Sequence, residues 1–186
     1  MMRALSFGGG VQSSTVLLMA LRGELPPYDA VIFADTGWEP QAVYRWVALM
    51  EEEARKAGVP FVRVSGGHIR DDALRRVWEG ARWPTMPLTV VGPTGERGKL
   101  HRQCTDAYKI RPIRAWLRKA LLERGERVAY LSLGISLDEA ERVRPSGVGY
   151  IVHEYPLLER RMTREACVAW LRRRGYPEPP KSACIG

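Results

Sequence analysis

The chain has no apolar run near the ~20 residues that cross a bilayer, no asparagine, and only three cysteines and three histidines in 186 residues. Each shortage excludes something. Without a long apolar run, neither a spanning helix nor a membrane partner is expected. An odd, small number of cysteines does not make the paired framework of a disulfide-stapled secreted domain. His68, His101 and His153 show no ligand spacing and are assigned no role. The N-terminus lacks a signal-peptide pattern, since glycines follow almost at once, so a cytoplasmic location is expected. Acidic residues are the scarcer sign: 21 against 29 basic ones, a formal net charge of +8. That balance suits an anionic partner. A nucleotide answers part of it, and RNA or DNA is the second candidate. The excess of arginine over lysine also fits a biased genome composition, and absent asparagine a hot habitat. The composition is compatible with oligomerisation.

What is present is concentrated near the start. Ser6-Phe7-Gly8-Gly9-Gly10-Val11-Gln12-Ser13-Ser14-Thr15 follows the apolar Ala4-Leu5 and precedes a helical pattern through Leu21. That order reads as strand, glycine turn, helix. Glycines let the backbone take positive φ and approach a ligand closely. The first turn of a helix, with its unpaired N–H groups and dipole, favours an anion such as a phosphate or pyrophosphate.

Strand-like and helix-like segments then alternate. Asp29 to Ala34 is a continuous apolar run, as in a strand covered on both faces, and ends in Asp35-Thr36-Gly37. Val43, Trp46, Val47, Met50 and Ala54 repeat at helical spacing after Pro40, and Gly58 ends the pattern. Phe61 to Val64 reads as a third strand, Val128 to Ile135 as a fourth and Gly149 to His153 as a fifth. Leu74, Val77, Trp78 and Ala81 read as the core face of one helix. Ile113, Trp116, Leu117 and Leu121 mark another, with Pro112 at its start. Ala166, Cys167, Trp170 and Leu171 mark a last helix capped by Thr163. Trp83 to Gln103 breaks the rhythm with prolines and glycines, and reads as a long loop with a short hairpin.

This alternation predicts an α/β fold: one three-layer, Rossmann-like domain around a mostly parallel five-stranded sheet, spanning residues 1–174. Residues 175–186 are expected to be an irregular, cysteine-containing tail. In such sheets ligands bind at the carboxyl ends of strands. The glycine turn, Asp35-Thr36-Gly37 and Gly134-Ile135 are therefore expected to meet in one crevice.

The glycine turn resembles the PP-loop, S-G-G-x-D-S-[ST], of the adenine nucleotide alpha hydrolase superfamily. Gly9-Gly10 and Ser13-Ser14 match. Gly8 stands in place of the first serine and Gln12 in place of the aspartate. Further likenesses are to the phosphoadenosine phosphosulfate reductase branch. Asp35-Thr36-Gly37 with Pro40 and Tyr44 is similar to its D-T-G region, which flanks the nucleotide. By residue chemistry, Asp35 suits a ribose hydroxyl or a hydrated metal, or else an Asx turn. Arg102-Gln103-Cys104-Thr105 with Tyr108-Lys109-Ile110-Arg111-Pro112 resembles its C-[ST]-x-x-x-K-x-x-P element. Gly134-Ile135-Ser136-Leu137-Asp138-Glu139 with Arg142 resembles G-[IL]-R-x-x-[DE]-S-x-x-R, with Ser136 for the usual arginine. Asp138 and Glu139 read as helix-start carboxylates or as metal ligands. The tail Lys181-Ser182-Ala183-Cys184-Ile185-Gly186 resembles a K-S-A-C-x-x-C-P-F ending.

The resemblance implies ATP and Mg2+ as cofactors. It places the nucleotide on Ser6, Gly8, Gly9, Gly10, Gln12, Ser13, Ser14, Asp35, Thr36, Gly37 and Gly134, with Lys109 and Arg142 as the catalytic cations and Arg111 facing the same crevice. Cys104, Cys167 and Cys184 are candidate ligands of an iron–sulfur cluster or zinc, which would need a fourth ligand not in this chain. The chain is expected to be cut short at that point, or its end unseen. Cys167, on an apolar helix face, reads equally as a core residue. The implied activity is cleavage of the α–β phosphate bond of ATP to adenylylate an acceptor, with sulfur transfer to nucleic acid as the fitting use. Two alternatives stand beside it: a thiol-dependent sulfonucleotide reductase, and a nucleotide-binding subunit without turnover.

Overall fold

Side-chain alternation decides the layers. In β1 (Met2–Phe7), Met2 and Ala4 are buried on one face, Leu5 and Phe7 on the other. In β2 (Ala30–Asp35), Ile32 and Ala34 share the first face, Val31 and Phe33 the second. A strand covered on both sides has no polar face to show, hence its continuous apolar run. The computed structural model describes residues 1–78, 89–99 and 104–181.

Three further strands complete the main sheet: β3 (Phe61–Ser65), β6 (Ala129–Leu133) and β7 (Ile151–Glu154). The order is β3-β2-β1-β6-β7, and every pairing is parallel. Ser6 lies opposite Leu133 on one side of β1, and Phe7 opposite Phe33 on the other. Between β3 and β6 a small antiparallel hairpin, β4 (Thr89–Val91) and β5 (Arg97–Lys99), stands apart from the sheet. It lies inside the segment expected to be a loop with a hairpin.

One face of the sheet is covered by α1 (Val11–Leu21), α2 (Gln41–Lys56) and α6 (Arg164–Arg172). The predicted α2 stripe of Val43, Trp46, Val47, Met50 and Ala54 is buried throughout. The other face is covered by α4 (Arg111–Arg124), through Ile113, Leu117 and Leu121. Thr163 caps α6 as expected, its hydroxyl oxygen accepting the Ala166 N–H at 3.1 Å.

The face predicted on α3 (Ile69–Trp78) needs correction. Leu74 is exposed rather than part of the core. This helix is rich in charge, and among its described side chains Ile69 is the buried one, packed against Cys104 and Tyr108. The side chains of Val77 and Trp78, and the whole of Ala81, lie outside the described residues.

Three short segments carry no apolar period: a π-helical turn at Asp106–Ile110, a 3-10 segment at Leu137–Arg142, and α5 (Pro156–Glu159). A helix start was one reading of Asp138 and Glu139, while the π form and α5 were not expected. After α6 the chain is irregular but not detached. The Tyr176 hydroxyl donates to Glu53 on α2 at 2.8 Å, and Pro179 is buried. Among the described residues no helix is long and apolar enough to cross a membrane.

Candidate functional site

The sheet order creates a switch point. From β1 the chain moves outward through β2 to β3, and later returns to place β6 and β7 on β1's other side. The segments leaving β1 and β6 therefore part company at the carboxyl end of the sheet, and a crevice opens between them. A cleft of about 680 Å3 lies there. Ser6, Gly8, Gly10, Gln12 and Ser13 form one wall, Gly134 and Ile135 another.

The turn is built for close approach. Gly9 has φ 74°, a conformation open to glycine, and Gly10 is the N-cap of α1 in extended conformation. The Ser13 hydroxyl accepts the Gly8 N–H at 3.2 Å and donates to the Gly10 carbonyl at 3.2 Å, which ties the turn into a ring. The first helical bond runs from Ser14 N–H to Gly10 O at 3.1 Å. The amides of Val11, Gln12 and Ser13 come before it and have no intrahelical partner. No acidic residue occupies this first turn. Gly134 is required by contact: a Cβ there would lie 2.7 Å from the Ser13 nitrogen.

Ser14 takes a different place from Ser13. It is fully buried, donates to Gly10 O at 2.8 Å and accepts the Trp46 indole N–H at 2.8 Å. Its hydroxyl fastens α1 to α2 and does not line the cleft.

The charge is one-sided. Lys109, Arg142, Arg164 and Lys181 line the cleft, against Glu139 as the one acid among the described lining residues. Glu139 accepts Arg142 at 2.6 Å and the Gln12 side-chain amide at 3.1 Å. Gln12 thus ties α1 to the segment after β6, and it also reaches the buried Ser136 at 3.4 Å. Arg164 opens α6, and its backbone N–H is accepted by Asp138 at 2.8 Å. Burial alone would raise the Asp138 carboxyl, but that N–H and the Ser136 hydroxyl outweigh it and hold it below the usual range. Asp138 is thus a helix-start carboxylate here. Arg111, expected in the crevice, instead points along its own helix to Asp106 at 2.6 Å, is exposed, and does not line the cleft.

Asp35-Thr36-Gly37 sits at the end of β2 but does not line the cleft. Asp35 Oδ1 accepts the Gly37 N–H at 2.8 Å, the Asx bond of a strand-to-helix turn, and the Tyr44 hydroxyl at 2.9 Å. Thr36 is buried and donates to Glu39 at 3.3 Å. Glu39 also accepts Lys109 at 3.3 Å, linking this turn to the cleft. Sequence reasoning passed over Glu39, because an acid just before a helix-starting proline reads as an ordinary exposed first-turn charge. Arg164 and Lys181 were likewise missed. Arg164 opens α6, and Lys181 reaches the cleft because the tail folds back to place Pro180 and Lys181 there.

The cysteines divide. Cys104 is buried with Ile69 and Tyr108 in one apolar cluster, and Cys167 with α1 in another. Burial pushes the Cys167 thiol up to about 11, despite a hydrogen bond with Thr15. A thiol so placed stays protonated at neutral pH. Cys184, with Arg102 and Gln103, lies outside the described residues. Among the described residues no group of three or more histidine, cysteine, aspartate or glutamate side chains is placed to hold a metal.

A second hollow of about 520 Å3 lies between the end of α1 and α6. Its carboxylate, Glu24, is already taken by the Trp170 indole N–H at 3.1 Å and by Arg174 at 2.7 Å, with the Arg174 guanidinium stacked on the Trp170 ring. Those contacts are complete as packing, so the switch-point cleft is the stronger site. No protein-family model and no curated protein matches the chain.

Proposed function

We propose that the protein binds ATP in the switch-point cleft and breaks the α–β phosphate bond, adenylylating an acceptor. The observation that carries this reading is the glycine turn after β1, which presents the unpaired amides at the start of α1 to a cleft with four cations and one acid among its described lining residues. Amides aimed at one point, at the positive end of a helix, stabilise an anion without reorganising.

In the reaction an acceptor oxygen attacks the α-phosphorus. The bond from that phosphorus to the bridging α–β oxygen breaks, and pyrophosphate leaves with the electron pair. Gly8 to Ser13 hold the departing pyrophosphate, and Lys109 and Arg142 balance charge as it develops. The carboxylates suit a magnesium ion that arrives with the nucleotide rather than one caged by protein, since Glu139 is the one acid among the described lining residues and is engaged by Arg142 and Gln12. Such an ion supplies charge neutralisation on the phosphate oxygens. The two described cysteines lie in different apolar clusters, so the reading rests on no thiolate-held metal. The net charge of +8 supports RNA or DNA as the acceptor.

Pyrophosphate release from ATP, measured with RNA, with DNA and without either, tests the reading. Release that depends on the chain and rises with one nucleic acid is expected. Sulfite release from phosphoadenosine phosphosulfate would select the reductase instead. ATP binding with neither product would select a subunit without turnover.

A further inference from the structure

We infer that Glu39 is a positioning residue of the cleft, holding the Lys109 ammonium toward the bound phosphates; this rests on the nucleotide reading above. Among the described residues Glu39 is the only charged residue that is buried, 5% exposed. Its Oε1 accepts Lys109 Nζ at 3.3 Å and the Thr36 hydroxyl at 3.3 Å. Its Oε2 is buried with no hydrogen-bond partner among the described residues. A buried carboxylate is costly unless paired and hydrogen-bonded. A half-satisfied one is a poor device for stability alone, and asks for another explanation.

The partner supplies it. Lys109 is one-third exposed and lines the cleft, while the carboxylate behind it is shut off from solvent. The ammonium therefore stands between a buried anion and an open cationic cleft. It is held from behind and keeps N–H groups for a ligand in front.

The backbone that carries Lys109 points the same way. Asp106–Ile110 is π-helical, a conformation rare in proteins and frequent at functional sites. The widened turn is clamped on several sides. Tyr108 donates to Asp72 at 2.9 Å, and Arg111 donates to Asp106 at 2.6 Å. Gly66 leaves room for the Ala107 carbonyl, which would lie 2.6 Å from any Cβ there. Clamps around an unfavourable turn fix where Lys109 starts, and Glu39 fixes where its ammonium ends.

The test is a double-mutant cycle with Glu39→Gln, Lys109→Met and the pair together, read in two ways. In pyrophosphate release from ATP, Glu39→Gln is expected to lower kcat roughly tenfold with KM changed far less. In the Lys109→Met background the same change is expected to cost nothing more. In thermal unfolding, Lys109→Met leaves Glu39 buried without its counter-charge and lowers Tm by ~5 °C, and adding Glu39→Gln recovers at least half of that. Losses that simply add in both readouts would overturn the inference. So would a Glu39→Gln variant with wild-type kcat. Should Glu39→Gln not fold, Glu39→Asp, which keeps the charge one methylene short, is expected to show the same kcat loss. A wild type that neither binds ATP nor releases pyrophosphate overturns the nucleotide reading, and the melting cycle then decides alone whether Glu39 holds Lys109.

Discussion

Gly134 and Ser13 touch across the floor of the cleft, and that contact sets how close the two walls come. A methyl group at position 134 would meet the Ser13 nitrogen at 2.7 Å and its Cα at 3.0 Å, both backbone atoms that cannot turn aside. Gly134→Ala is therefore expected to cost about 1–3 kcal/mol in denaturant unfolding and to weaken ATP binding more than tenfold by spreading the α1 amides from the opposite wall. A variant as stable as wild type would show that the walls are not in firm contact. At Cys167 the expectation is inertness. The thiol is buried and raised to about 11, so in native protein at pH 7.5 it should resist alkylation that labels it fully in denaturant. Rapid native labelling, mapped to Cys167 by peptide analysis, would contradict its place in the core.

Elements show how much was legible and why. On α2 and β2, where the pattern was apolar and periodic, reading and fold agree, whereas the same kind of pattern on α3 misled, since Leu74 is exposed. The α2 stripe is buried at all five positions, and the continuous run in β2 belongs to a strand with two covered faces. Where the signal was a cap, it also held. Thr163→Ala should remove the Ala166 N–H acceptor and cost about 1 kcal/mol, a small drop in the urea midpoint with no change in slope. The π-helical turn was not legible, because its residues look like the start of α4, and only the tertiary clamps from Asp72 and Gly66 make the wider turn visible. Glu39 was illegible for a related reason. Its burial depends on a lysine 70 positions away. The Gly8–Gly10 and Gly134 walls were foreseen in one crevice because both follow strands of a parallel sheet; the same reasoning placed Asp35-Thr36-Gly37 there, and it does not line the cleft. At Asp35 the Asx turn, weighed from sequence beside a ligand role, is the one formed; its Oδ1 accepts the Gly37 N–H and also the Tyr44 hydroxyl, the contact that was not foreseen.

At the scale of the whole molecule, two properties follow from the layered core and the switch point. Two weak acids of the core, Tyr28 and Cys167, are held in neutral form by burial. Tyr28 is pushed up to about 12 by burial, against a hydrogen bond with Ser132, and Cys167 up to about 11 by burial. Both folded values lie above the ordinary 10 and 9. Their contribution to stability is therefore complete below pH 9. It falls as the unfolded chain ionises first, and is lost once pH passes about 11 for Cys167 and about 12 for Tyr28. Each group lowers stability by at most about 1.4 kcal/mol per pH unit inside its window. Urea unfolding at intervals between pH 8 and 11 should show that decline, with a shallower slope in Cys167→Ala. Stability that rises over this range would reverse the sign.

The switch point itself is tested most directly by titrating Mg·ATP into the wild-type chain and into Gly10→Val by calorimetry. Gly10 is extended, φ −99°, so valine suits the backbone and the variant should fold, while a side chain is added at a residue that lines the cleft as the N-cap of α1. Saturable one-to-one binding by wild type, abolished in a folded Gly10→Val, is the expected result. Equal affinity in the two folded proteins, or none in wild type at millimolar nucleotide, would contradict a phosphate site at the start of α1.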